Sequence, residues 1–160
     1  MIASEKDLRL LLLAPTARDS GITTELLNGA GIETATFTNI DALVGALNEG
    51  AAAVLVAEEH LAGAAKAPLA AWLQRQPPWS DLPILILTRP GADSPESAEA
   101  WRTLGNVTLL ERPTRVTTLL SAAQTAIRAR SRQYQIRGHL SERLKNEQAL
   151  RAADRRKDEF

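Results

Sequence analysis

The stretch RLLLLAPTARDS, Arg9 to Ser20, decides the fold. Four consecutive leucines with no polar partner between them read as a strand buried on both faces. Ala14-Pro15-Thr16 then turns the chain, and a helix-like segment follows. A strand that feeds a helix in this way belongs to an α/β domain, where chemistry gathers at the strand mouths. At this mouth no ionisable side chain appears before Arg18.

Working outward, the same unit recurs. ARDSGITTELLNGAG (17–31) carries Leu26 and Leu27 on one face and Gly31 as a stop, and ETATFT (33–38) alternates like a weaker strand near an edge. NIDALVGALNEG (39–50) is a short helix with Leu43, Val44 and Leu47 as its stripe, and AAAVLVA (51–57) is a second buried strand. APLAAWLQRQ (67–76) is a helix stopped by Pro77-Pro78, and DLPILILT (81–88) is a third buried strand. DSPESAEAWRTLG (93–105) opens with Asp93 or Ser94 as cap and closes on Gly105. NVTLLERP (106–113) is the last strand. TRVTTLLSAAQTAIRAR (114–130) opens a helix with Val116, Leu119, Leu120, Ala123 and Ile127 on its buried side.

Five βα units predict a flavodoxin-like parallel sheet, order 2-1-3-4-5, with helices on both faces and a long C-terminal helix continuing the fifth. The expected organisation is a tail over 1–7, the α/β domain over 8–130 and a coiled-coil helix over 131–160. From Thr114 to Phe160 there is no proline, and Gly138 is the only glycine. Ile127, Tyr134, Leu140 and Leu144 lie near one stripe, and Leu150, Ala153, Lys157 and Phe160 have 3-4-3 spacing. The two stripes are about one residue out of phase, which predicts an imperfect seam. So polar a helix gains an apolar partner most simply from a second copy, as a parallel coiled coil.

Charge divides at the same place. Residues 1–111 hold 7 basic against 14 acidic side chains, and residues 112–160 hold 12 against 5. Hydrophobic residues make up 44% of the 160, enough for a core in one domain of ordinary size plus an appendage. Cysteine is absent, which excludes disulfides and thiolate zinc sites. No stretch has the length of a membrane span or the pattern of a secretory signal, so a cytoplasmic location is expected.

Candidate chemistry is sparse. The strand mouths are Ala14-Pro15-Thr16, Thr38-Asn39, Ala57-Glu58-Glu59, Thr88-Arg89 and Glu111-Arg112-Pro113, and none holds a glycine-rich phosphate loop. Glu58 and Glu59 are candidate metal ligands or bases, but neighbouring mouths offer no second carboxylate. An acidic rim, or an ion pair with Arg112, is the better expectation. His60 and His139 lack triad or ligand partners and are expected in solvent. Trp72, Trp79 and Trp101 read as packing residues. The arginines of the tail are interrupted by Glu142, Glu147, Asp154, Asp158 and Glu159, which argues against a DNA-reading basic region.

These residues, in order, give a resemblance. From about Arg9 to Arg130 the chain resembles a response-regulator receiver domain. Such domains hold Mg²⁺ with an acidic pair after the first strand and take a phosphoryl group on an aspartate after the third. A Thr or Ser follows the fourth strand and Lys-Pro the fifth. LLLLAP puts Ala14 and Pro15 where the acidic pair belongs, and AVLVAEE puts Ala57 or Glu58, by register, at the acceptor. PILILT keeps Thr88, and LLERP keeps Pro113 with Arg112 in place of lysine. The resemblance therefore implies a pseudo-receiver with no metal, cofactor or catalytic residue.

LRAADRRKDEF (150–160) is similar to the run that leads into the phosphoacceptor helix of bacterial sensor histidine kinases. It implies a non-catalytic regulatory module ahead of kinase domains, homodimeric through its C-terminal helix, and acting on another signalling protein rather than on nucleic acid. A small-molecule or anion sensor using the emptied pocket near Ala14, Glu58, Thr88 and Arg112 is the alternative, and residual phosphorylation on Glu58 a third reading.

Overall fold

A computed structural model describes residues 4–90 and 95–158. Five parallel strands, β1 (Leu10–Leu13), β2 (Thr34–Thr36), β3 (Ala53–Ala57), β4 (Ile84–Thr88) and β5 (Val107–Glu111), form one sheet in the order β2-β1-β3-β4-β5. Leu12 lies beside Leu55, and Leu55 beside Leu85, so the three central strands share one register. The helices are α1 (Ala17–Gly29), α2 (Ile40–Leu47), α3 (Ala67–Gln74), α4 (Pro95–Leu104) and α5 (Val116–Asp158). The expected cap of α4, Asp93 or Ser94, lies outside the described residues, as does Phe160.

The unbroken leucine run has a direct cause. Strand side chains alternate between faces, so both faces are apolar only if both are covered. Leu11, Leu13, Val54, Val56, Ile84 and Ile86 pack with Leu43, Leu47, Leu69 and Leu73 of α2 and α3. Leu10, Leu12, Ala53, Leu55, Leu85 and Leu87 pack with Leu27 of α1 and Leu119, Ala123 and Ala126 of α5. Each fully buried leucine contributes about 1.5–3 kcal/mol. β2 has no such run because it is the edge strand, half-exposed along its length.

Helix α5 spans 43 residues, about 65 Å at 1.5 Å per residue. Its first third closes the sheet. Its middle then crosses the base of the domain, the end opposite the strand mouths. Tyr134 donates its hydroxyl to the Ala51 carbonyl (2.8 Å) and accepts from the Ala51 amide (3.3 Å). Arg130 donates from Nε to the Ala51 carbonyl (3.1 Å) and from Nη1 to Ser80 Oγ (2.7 Å). Gln133 accepts from the Asp81 amide at 2.8 Å, and Arg137 pairs with Asp7 at 3.1 Å.

Two expectations change here. Ile127 packs with the core, and Tyr134 is only 4% exposed and bonded to Ala51 just before β3, so both face the domain rather than a partner helix. The side-chain contacts also carry the domain past residue 130 to Arg137, and back past residue 8 to Asp7. The 3.6-residue period places both residues on one face, but it cannot say which body covers that face. Beyond Ser141 nearly every described residue is exposed, with Leu144 and Leu150 more than half so.

Gly50 completes the base. It lies in the loop before β3 at φ +111°, a backbone region that suits glycine. A Cβ there would lie 2.2 Å from Asp7 Oδ1. Asp7 in turn accepts from the Ser4 amide (2.9 Å) and from Arg137.

Candidate functional site

The strand mouths that the sequence singled out converge on one end of the sheet. β1 delivers Ala14 and Pro15, both without a side-chain oxygen. The next polar groups serve the helix start. Thr16 Oγ1 accepts from the Asp19 amide (3.1 Å) and donates to Asp19 Oδ2 (2.8 Å), capping α1. β3 ends at Ala57, fully buried, and a 3-10 turn, Glu58–Leu61, follows.

The two glutamates of that turn differ in their main hydrogen-bond partner. The Glu58 side chain is 2% exposed and accepts from the Arg89 amide at 2.6 Å, with Arg89 Nε at 3.7 Å. Glu59 takes both Nη groups of Arg112, one at 2.9 Å, and its Oε1 also lies 3.8 Å from Arg89 Nε. Arg112 Nε donates to the Thr88 carbonyl (3.0 Å), and its backbone amide uses the same oxygen (3.0 Å). The Arg112–Pro113 peptide is cis. The ion pair anticipated for Arg112 is therefore present with Glu59, and it closes over the end of β4. His60 departs from expectation: it is half-buried, and its Nε2 donates to the Ala14 carbonyl at 2.9 Å. His139 is exposed on α5.

This donor set does not suit a hard divalent cation. Mg²⁺ wants converging oxygens at about 2.0–2.1 Å. Ala14 and Pro15 supply none, Glu58 is turned inward onto Arg89, and Glu59 is matched to a guanidinium. A cavity of about 750 Å³ lies beside the site, lined by Pro15, Asp19, Glu59, Arg89, Arg112 and Pro113 among others.

The site's electrostatics give a pH dependence. The Arg112 hydrogen bonds, against an opposing effect of burial, hold the Glu59 carboxyl below its ordinary range. At Asp7 burial pushes the carboxyl up, but the Ser4 amide and Arg137 outweigh it, and the net shift is again down. A depressed carboxyl pKa stabilises the folded state above the unfolded values, about 3.9 for Asp and 4.3 for Glu, and that contribution is lost as pH falls through the lower folded values. The melting temperature should therefore be level from neutral pH down to about pH 5 and fall below about pH 4. Glu59→Gln should flatten part of that fall in a series of thermal melts. An unchanged slope in that variant would show that the pair does not respond to pH.

Sequence reasoning placed Ala14, Pro15, Ala57, Glu58, Thr88, Arg112 and Pro113 at one end of the sheet, where the structure also has them. It missed the base cluster of Asp7, Arg130 and Arg137. The signal was the 4-3 spacing of Arg130, Tyr134 and Arg137, which puts three large side chains on one helix face.

No protein-family model matches the chain, and no curated protein matches it. Solved structures do. NtrX from Brucella abortus in complex with ADP superimposes with a TM-score of 0.65 at 18% identity, over 81% of this chain and 28% of that one. Full-length FixJ from B. japonicum gives 0.62 at 26% identity, over 78% of this chain and 60% of that one. The chemotaxis protein CheY4 of Vibrio cholerae gives 0.61 at 18% identity, over 74% and 97%. The chain thus spans less than a third of NtrX and less than two thirds of FixJ. The domain is receiver-like in fold, with the sheet order, the helical layers and the fifth helix of a response-regulator receiver. No helix among the described residues is long and apolar enough to cross a membrane.

Proposed function

We propose that this chain is a cytoplasmic regulatory module of two-component signalling whose receiver-like domain takes no part in phosphoryl transfer. It acts by contact, through α5, on histidine-kinase domains that follow in the same protein. One observation carries the reading. Where a receiver needs converging acids, this domain has Ala14, Pro15 and Ala57, and its two nearby glutamates are engaged by Arg89 and Arg112. Without acids to hold a metal, the site lacks the divalent charge that would offset a phosphoryl group in transit.

The output side is helix α5, anchored at its middle and exposed beyond it. Ile136, Leu140 and Leu150 are each at least half exposed. They share one 4-3 repeat, with Arg143 and Glu147 at the positions between. Leu144 stands one residue off this line. A second copy in parallel is the partner that buries the stripe, and a seam with two charged positions is weak enough to hold two registers. A partner event on the domain would select between them.

Incubation with acetyl phosphate and Mg²⁺, followed by intact mass measurement, tests the non-catalytic reading. No phosphate mass should appear. A phosphate adduct that Glu58→Gln removes would establish residual phosphorylation instead.

A second reading, a small-molecule sensor at the strand mouths, draws on the cavity of about 750 Å³ there. The three donor nitrogens of Arg112 are already bonded to Thr88 and Glu59, which leaves little to hold an anion. Thermal shift with a metabolite panel distinguishes the readings: a ligand of this cavity raises the melting temperature, and Leu26→Trp, filling the cavity, abolishes the shift.

A further inference from the structure

A second cavity, of about 440 Å³, lies at the opposite end of the domain, where α5 crosses the base. Its walls include Trp72, Trp79, Tyr134, Arg75, Arg130 and Arg137. Trp79 and Tyr134 pack at a 45° tilt with centroids 5.6 Å apart, and the Arg130 and Arg137 guanidinium groups lie over their rings. Arg130 stands 4.6 Å and Arg137 4.5 Å from the Tyr134 centroid.

The charges here do not balance. Arg130 is 3% exposed, yet its bonded partners are all neutral: the Ala51 carbonyl, Ser80 Oγ and Gln133 Oε1. Among the described residues it has no carboxylate within ion-pair distance. Arg137 has one, Asp7, reached through Nη2, while its Nε is buried with no hydrogen-bond partner among the described residues. The other acid of the lining, Glu49, already faces Lys6 and Arg9. An unpaired charge out of water is costly, and an acceptor bearing negative charge relieves it. Burial accordingly pushes the Arg130 guanidinium below its ordinary value.

We infer that this basal cavity binds a small anionic molecule. A carboxylate or phosphate group would be taken by the guanidinium groups of Arg130 and Arg137 where they line the cavity, and its body would lie against Trp72 and Trp79. The volume lies within the range of small-molecule sites, about 300–1,000 Å³. The inference goes beyond the proposed function and stands whatever α5 does at its far end. The ligand would bridge α5 to the loop before β4.

Titration of the whole chain with inorganic phosphate in one arm and benzoate in the other, followed by tryptophan fluorescence and calorimetry, tests the site. The two arms separate a phosphate ligand from an aryl carboxylate. At least one probe should saturate with a Kd of about 1 mM or tighter. Arg137→Gln should weaken it about tenfold or more. Arg137→Lys, which keeps the charge beside Asp7 but lacks the planar guanidinium fork, should weaken it as well. Arg112→Gln, at the other end of the sheet, should leave it unchanged. Saturation by neither probe, equal affinity in either Arg137 variant, or loss of binding in Arg112→Gln would each overturn the inference.

Discussion

Tyr134→Ala is expected to cost about 3–5 kcal/mol, the range for deleting a buried aromatic side chain. The effect has three parts that act together. The ring leaves a hole between Trp79 and the two arginines, and the guanidinium groups lose the face they lie over. The Ala51 amide loses its acceptor, and the Ala51 carbonyl keeps only Arg130. Tyr134→Phe isolates the last part and should cost about 1–3 kcal/mol, since a buried amide is left without a partner. Denaturant melts measure both. If Tyr134 belonged to an intermolecular seam, Phe would be close to neutral, and Ala would change stability only with protein concentration.

Gly50→Ala should be the next largest, at about 2–4 kcal/mol. The left-handed backbone costs a non-glycine residue about 1–2 kcal/mol. The added Cβ would sit 2.2 Å from Asp7 Oδ1, so Asp7 must also move, and its backbone at 3.4 Å leaves little room. Moving it weakens bonds to Ser4 and Arg137 that hold the start of the chain and the middle of α5 together. At about 2–4 °C per kcal/mol for a chain of this size, the melting temperature should drop by roughly 4–16 °C. A shift of under about 2 °C would mean that the loop relaxes freely and that Asp7 is no anchor. The double variant Gly50→Ala with Asp7→Ala should recover the steric part.

The sheet was legible because its grammar is local. Runs such as Leu10–Leu13 and Ile84–Leu87 can be buried on both faces only in a covered parallel sheet, and the turns at Gly31, Pro77-Pro78 and Gly105 separate the units. Which residues stand at the strand mouths was legible too, because they can be read off once the strand ends are known. The base was not. Asp7, Gly50, Ser80 and Arg130 are far apart in the chain and meet only through the fold. The helix period places Tyr134 in phase with Ile127, and that is correct; but period alone does not distinguish a face against the domain from a face against another helix. Ile136 was passed over for the same reason. Its phase with Leu140 and Leu150 matters only once Tyr134 is known to point inward.

The central claim is that α5 leaves the domain as one strand of a parallel pair, and cysteine crosslinking tests it most directly. The chain has no native cysteine, so single substitutions report without background. Cysteines at Ile136, Leu140 and Leu150 should form intermolecular disulfides under mild oxidation, and cysteines at Glu142 and Gln148, off the stripe, should not. Crosslinking at none of the stripe positions, or with equal efficiency at all five, would contradict the account.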